Sequence, residues 1–127
     1  MSERFIHKAF LFLITSSIGA FAAGSATVHR AQVTGYLVDV SCSRDEAEVG
    51  AGWGEKHTRA CLLMPACVRS GYAVLTSDNQ VIRFDAKGNQ RAYQLILAQA
   101  RDKNWHVRVR GQRTGDELKV SDIALIK

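Results

Sequence analysis

Three cysteines and one histidine crowd into a single stretch of this 127-residue chain: Cys42, His57, Cys61 and Cys67. Such donors can do three kinds of chemistry. They can chelate, since the four make a Cys₃His set suited to Zn, and thiolates suit Cu(I) equally well. His57 and Cys61 are four apart and would share a helix face. The pattern H-x₃-C-x₅-C contains no C-x₂-C knuckle, however, so the spacing by itself does not specify a site. They can bridge. Cys61 and Cys67 on one regular helix stand on the order of 9 Å apart along the axis, beyond disulfide reach. Cys42 is therefore the expected partner of Cys61 or Cys67, closing a loop of about 20 residues worth roughly 3 kcal/mol. One thiol is left over. Finally, they can catalyse, with His57 activating a thiolate, Arg59 or Lys56 lowering its pKa, and Asp39 as the only candidate orienting group. No C-x-x-C supports a redox mechanism. The chain reads as non-enzymatic, with a free-thiolate enzyme the remaining enzymatic option.

Compartment weighs on this choice. Arg4 and Lys8 precede an apolar run from Ala9 to Phe21, and small residues follow. This pattern predicts an export signal over residues 1–26, cleaved after Ala22 or Ala26. The run is short for a membrane span, which wants about 20 apolar residues. Membrane contact is expected only through the leader before cleavage, and the protein is expected to be periplasmic or secreted. Paired thiols outside the cytoplasm usually become disulfides. Residues 27–127 then form one domain, small enough to gain from a staple or a metal.

The elements that must position these residues are mostly strands. Val33 to Val40 is β-branched and aromatic, with Val28 to Gln32 as its lead-in, and Gly35 suits a bulge or sharp bend. Ser43 to Glu55 is polar and glycine-rich and reads as a loop. Its G-x-G-x-G spacing fits no phosphate-binding loop. Thr58 is a plausible N-cap for a short helix running to Ser70, closed by Gly71 and kinked or restarted at Pro65. A hairpin follows, Tyr72 to Ser77 and Gln80 to Phe84 around Asp78-Asn79. Asp85 to Asn89 reads as a turn, and Gln90 to Arg101 has helical spacing. Asn104 to Arg113 alternates, with Trp105, Val107, Val109 and Gly111 facing one way. Glu117 to Ile126 pairs back. The order β-α-β-β-α-β-β predicts a mainly β (α+β) fold: a small, partly open, five-stranded antiparallel barrel similar to the OB-fold, with two short helices.

The outward face of Asn104 to Arg113 carries His106, Arg108 and Arg110, candidate anion contacts in a chain of formal net charge +5. Export speaks against nucleic acid, and Trp105 falls on the opposite face. The expected partner is an unidentified ligand or envelope component.

The runs G-Y-L-V-D-V-S-C, H-T-R-A-C-L-L-M-P-A-C-V-R-S-G-Y and the terminal R-V-R-G-Q-R with L-K-V-S-D-I resemble a group of small exported bacterial proteins similar to periplasmic OB-fold domains. The matching positions are Gly35, Asp39, Cys42, His57, Cys61, Cys67, Gly71 and Gly111. The resemblance implies a periplasmic barrel with a Cys/His cluster. Its motifs carry no assigned chemistry. The expectation is thus an exported binding or structural module stapled by that cluster. The alternative is a Zn- or Cu-binding protein using Cys42, His57, Cys61 and Cys67.

Overall fold

The structure, a computed structural model, describes Gly24 and residues 26–127. The expected leader lies outside the described residues apart from Gly24 and Ala26. Five strands close into a barrel: β1 (His29–Asp39), β2 (Tyr72–Leu75), β3 (Val81–Phe84), β4 (His106–Thr114) and β5 (Glu117–Leu125), ordered β1-β2-β3-β5-β4. β1 closes the ring by pairing with both β2 and β4.

This is the OB-like barrel that the strand pattern predicts, with differences in detail. The barrel is closed rather than partly open. One pair, β3 with β5, is parallel, while the other four are antiparallel. The chain crosses over between β3 and β4, so β5, the return strand of the β4–β5 hairpin, comes to lie along β3 in the same direction. The helical segments among the described residues are five, not two: α1 (Val40–Asp45), α2 (Trp53–Lys56), α3 (Arg59–Leu62), α4 (Pro65–Ser70) and α5 (Ala86–Ala98). None is long and apolar enough to cross a membrane.

Each difference has a local cause. The tract expected as a glycine-rich loop holds the end of α1 and most of α2: Ser43 and Gly54 are buried and Ala51 and Trp53 pack on the barrel, while most of its other residues stay exposed. A Cβ on Gly54 would meet the Cβ of Tyr36 at 2.7 Å, so only glycine lets α2 lie that close to β1. The expected single helix from Thr58 is two. Pro65 lacks an amide proton and takes the first position of α4, and the chain breaks just before it. α5 starts four residues early. Asp85 caps it by accepting from the Gly88 amide at 3.0 Å, so the expected turn is the first helical turn. Gly88 disguised this. A Cβ there would meet Val120 Cγ2 at 2.5 Å, so close packing against β5, not turn formation, requires the glycine.

Two apolar clusters result. Inside the barrel, Leu37, Val74, Ile82, Trp105, Val107, Val109 and Leu118 pack together with Ala92 and Ile96 of α5. Trp105 is fully buried and its indole donates to the Asp102 carbonyl at 3.2 Å. Outside the barrel, Val38, Val40, Ala73 and Leu75 are covered by Ala51 and Trp53. β2 is therefore buried along its whole length, which explains its unbroken apolar run. The cover on that outer face is the cysteine segment.

Candidate metal centre

The site begins where β1 ends. Asp39 is the last residue of β1, fully buried, and it caps α1 by accepting from the Cys42 amide at 2.8 Å through Oδ1. The cap sets Cys42 at the third position of α1. The same construction recurs. Thr58 accepts from the Cys61 amide at 3.1 Å, which sets Cys61 at the third position of α3. Met64 and Pro65 open α4, with Cys67 again third. Each cysteine thus rides on the first turn of its own short helix, and the residue three before it starts that helix.

α1 and α4 are then locked together. The Ser70 hydroxyl donates to the Cys67 carbonyl at 2.7 Å and accepts from the Ser41 amide at 3.1 Å. The Val40 amide donates to the Gly71 carbonyl at 2.9 Å. The consequence is a compact donor set: the Asp39 carboxylate, the Cys42 sulfur and the Cys67 sulfur all lie within 4.8 Å of one another.

His57 stands behind this set. Its Nε2 donates to Asp39 Oδ2 at 2.8 Å, the proton necessarily on that nitrogen because a carboxylate only accepts. Its ring meets Trp53 edge-on, centroids 5.3 Å apart. The expectation that His57 shares a helix face with Cys61 fails. His57 is extended (φ −65°, ψ 125°) at the end of α2, and Thr58 starts a new helix after it. Neither His57 nor Cys61 joins the compact set; with Cys42 they line a cavity of about 750 Å³ beside it, whose wall includes Trp53. The Trp53 indole nitrogen is buried without an acceptor among the described residues.

Charge follows burial here. Burial pushes the Asp39 carboxyl up, but the bonds from His57 and the Cys42 amide outweigh it and hold it below its ordinary 3.8. The Cys42 thiol is pushed up to about 12, first by burial and then by the Asp39 carboxylate. Cys67 is raised by the same two causes in the same order. Without a cation, then, the two thiols keep their protons near neutral pH. A resting thiolate nucleophile needs the reverse.

Cys42, Cys61 and Cys67 are free thiols. The bridge expected from Cys42 to Cys61 or Cys67 is not formed in this structure, although Cys42 and Cys67 are brought together. Of the four expected ligands, two fall in the compact set. The third member, Asp39, entered the sequence reading as an orienting group and as a position of the resemblance, not as a ligand; the D-x-x-C cap spacing was the signal for it. Of the anion-contact candidates, His106 packs at a tilt against Tyr36 with centroids 5.3 Å apart, Arg108 is half-buried, and only Arg110 is exposed. The chain matches no protein-family profile, no curated protein and no solved structure.

Proposed function

We propose that this protein is a metal-binding barrel that holds one Zn-class cation through Asp39, Cys42 and Cys67. The observation that carries the reading is the convergence of one carboxylate and two sulfurs within 4.8 Å at a buried point. Around a tetrahedral zinc, donor atoms sit about 3.3–3.8 Å apart, so a small contraction closes the set. A carboxylate among the donors favours Zn over Cu(I), which prefers an all-soft shell. His57 supports the ligand rather than binding: its bond to Asp39 fixes the carboxylate, as outer-shell groups do in metal sites. Cys42 also lines the cavity whose wall holds Cys61.

The test is anaerobic titration of the reduced protein with zinc against a chromophoric chelator. One equivalent per chain is expected. Cys42→Ser and Cys67→Ser should abolish uptake, and His57→Gln should weaken it about 10- to 100-fold. A chain that takes up no zinc, or a Cys42→Ser variant that takes up as much as the parent, overturns the reading.

The same proximity supports a second reading, a Cys42–Cys67 disulfide. The two sulfurs need only close to about 2.05 Å. In the periplasmic or secreted setting expected from the leader, this bridge would staple α1 to α4 in a binding or structural module. The readings exclude one another in a given molecule, because bridged sulfurs are not thiolate ligands. A bridge shows as a two-hydrogen mass loss and a Cys42–Cys67 cross-linked peptide.

A further inference from the structure

Between α5 and strands β1, β4 and β5, with no cysteine in its lining, lies a groove of about 860 Å³. Arg30, Lys87, Arg91, Arg110 and Lys119 line it, all exposed. Among the described residues the only acid in the wall is Asp85, and its Oδ1 accepts from the amides of Gly88 and Val120, each at 3.0 Å. The two ion pairs among the described residues, His57–Asp39 and Arg83–Asp116, involve none of the five cations. Five like charges facing one concavity repel one another in the free protein, a cost that an anion in the groove removes.

The cations are arranged rather than scattered. Arg30, Gln112 and Lys119 stand in register across three strands, and Gln32, Arg110 and Asp122 occupy a neighbouring row. Gln32 holds Arg110, its Oε1 accepting from the Arg110 Nε at 2.8 Å, and the terminal nitrogens of that guanidinium have no hydrogen-bond partner among the described residues. A planar fork held in this way suits the paired oxygens of a phosphate.

We propose that this groove is a binding site for a compact oligophosphate, a ligand carrying two or more phosphate groups close together. Single-stranded nucleic acid is disfavoured because, among the described residues, no aromatic side chain lines the groove to stack a base. Its concavity also suits a small ligand better than a membrane surface. None of these residues belongs to the Asp39–Cys42–Cys67 set, so the two proposals stand or fall separately.

Calorimetric titration of the full chain with tripolyphosphate, inorganic phosphate and an oligothymidylate tests it. Tripolyphosphate is expected to bind more tightly than phosphate or the oligonucleotide, and to weaken as salt rises. Arg91→Ala and Arg110→Ala should each lower its affinity about tenfold. Arg83→Ala removes the same charge from a different surface, where it pairs with Asp116, and should leave affinity unchanged. No binding of tripolyphosphate at low salt overturns the proposal. So does an equal loss in Arg83→Ala, which would mean attraction by net charge alone, or tighter binding of the oligonucleotide.

Discussion

The β4–β5 hairpin and the segment from Val40 to Gly71 are held by different forces. In the hairpin, backbone ladders fix the strands, and alternating side chains decide which face is buried; Val107, Val109, Leu118 and Val120 go inward with nothing special about their neighbours. The cysteine segment has no ladder. Three of its four short helices are held by side chains bonding to backbone: Asp39 to the Cys42 amide and Ser43 to the Val40 carbonyl in α1, Thr58 to the Cys61 amide in α3, Ser70 to the Cys67 carbonyl in α4. A ladder tolerates many sequences. A capping bond needs one of a few short polar side chains at one offset. Chemistry that depends on sulfur positions is therefore built on the less tolerant of the two regions, where each cysteine's place is set by the residue that starts its helix.

Substitutions can break or sharpen this contrast. The largest effect belongs to the barrel. Trp105→Ala empties a fully buried site and should cost about 3–5 kcal/mol, read by chemical denaturation. Asp39→Ala should follow at about 3 kcal/mol, because it removes a cap and leaves His57 buried without its carboxylate; zinc uptake should go with it. Tyr72→Phe tests the join between the regions. The Tyr72 hydroxyl donates to the Leu62 carbonyl at 2.7 Å, and leaving that buried carbonyl unpaired should cost about 1–3 kcal/mol.

Thr58→Ala is the smallest of the four, about 1 kcal/mol from a lost cap. Its use is discrimination: it loosens the helix of Cys61, outside the compact set, so zinc affinity should hardly move. If zinc binding is lost in Thr58→Ala, Cys61 is a ligand and the assignment of the three donors must be redrawn.

Acid supplies a further comparison. The folded Asp39 carboxyl lies below its ordinary 3.8, so the stability it contributes is fully present above that value and is lost as pH falls through its folded pKa. The stability gap between the parent and Asp39→Asn, followed by denaturant titration without metal, should narrow as pH drops below about 4.

Alternation made the barrel legible. Trp105, Val107, Val109 and Gly111 face inward as their spacing says, and the Asp78-Asn79 turn closes the hairpin between β2 and β3. Capping chemistry was half legible. Thr58 and Gly71 were readable as helix ends and do end helices, Gly71 with φ +84°. Asp39 was the same kind of signal but sat inside an apparent strand, where its cap role is hidden. Gly54 and Gly88 misled for one reason: a glycine required by close packing looks the same in a sequence as a glycine required by a turn.

The order of residues alone specified a small five-stranded barrel and a thiol-rich excursion from it, because strand periodicity and helix caps act over a few neighbouring positions. Folding chose the partners. That Cys67 meets Cys42 and Asp39, with His57 behind the carboxylate, depends on how α4 docks against α1 through Ser70 and on how α2 lies across Tyr36. Those contacts join residues far apart in the chain, and no local pattern encodes them.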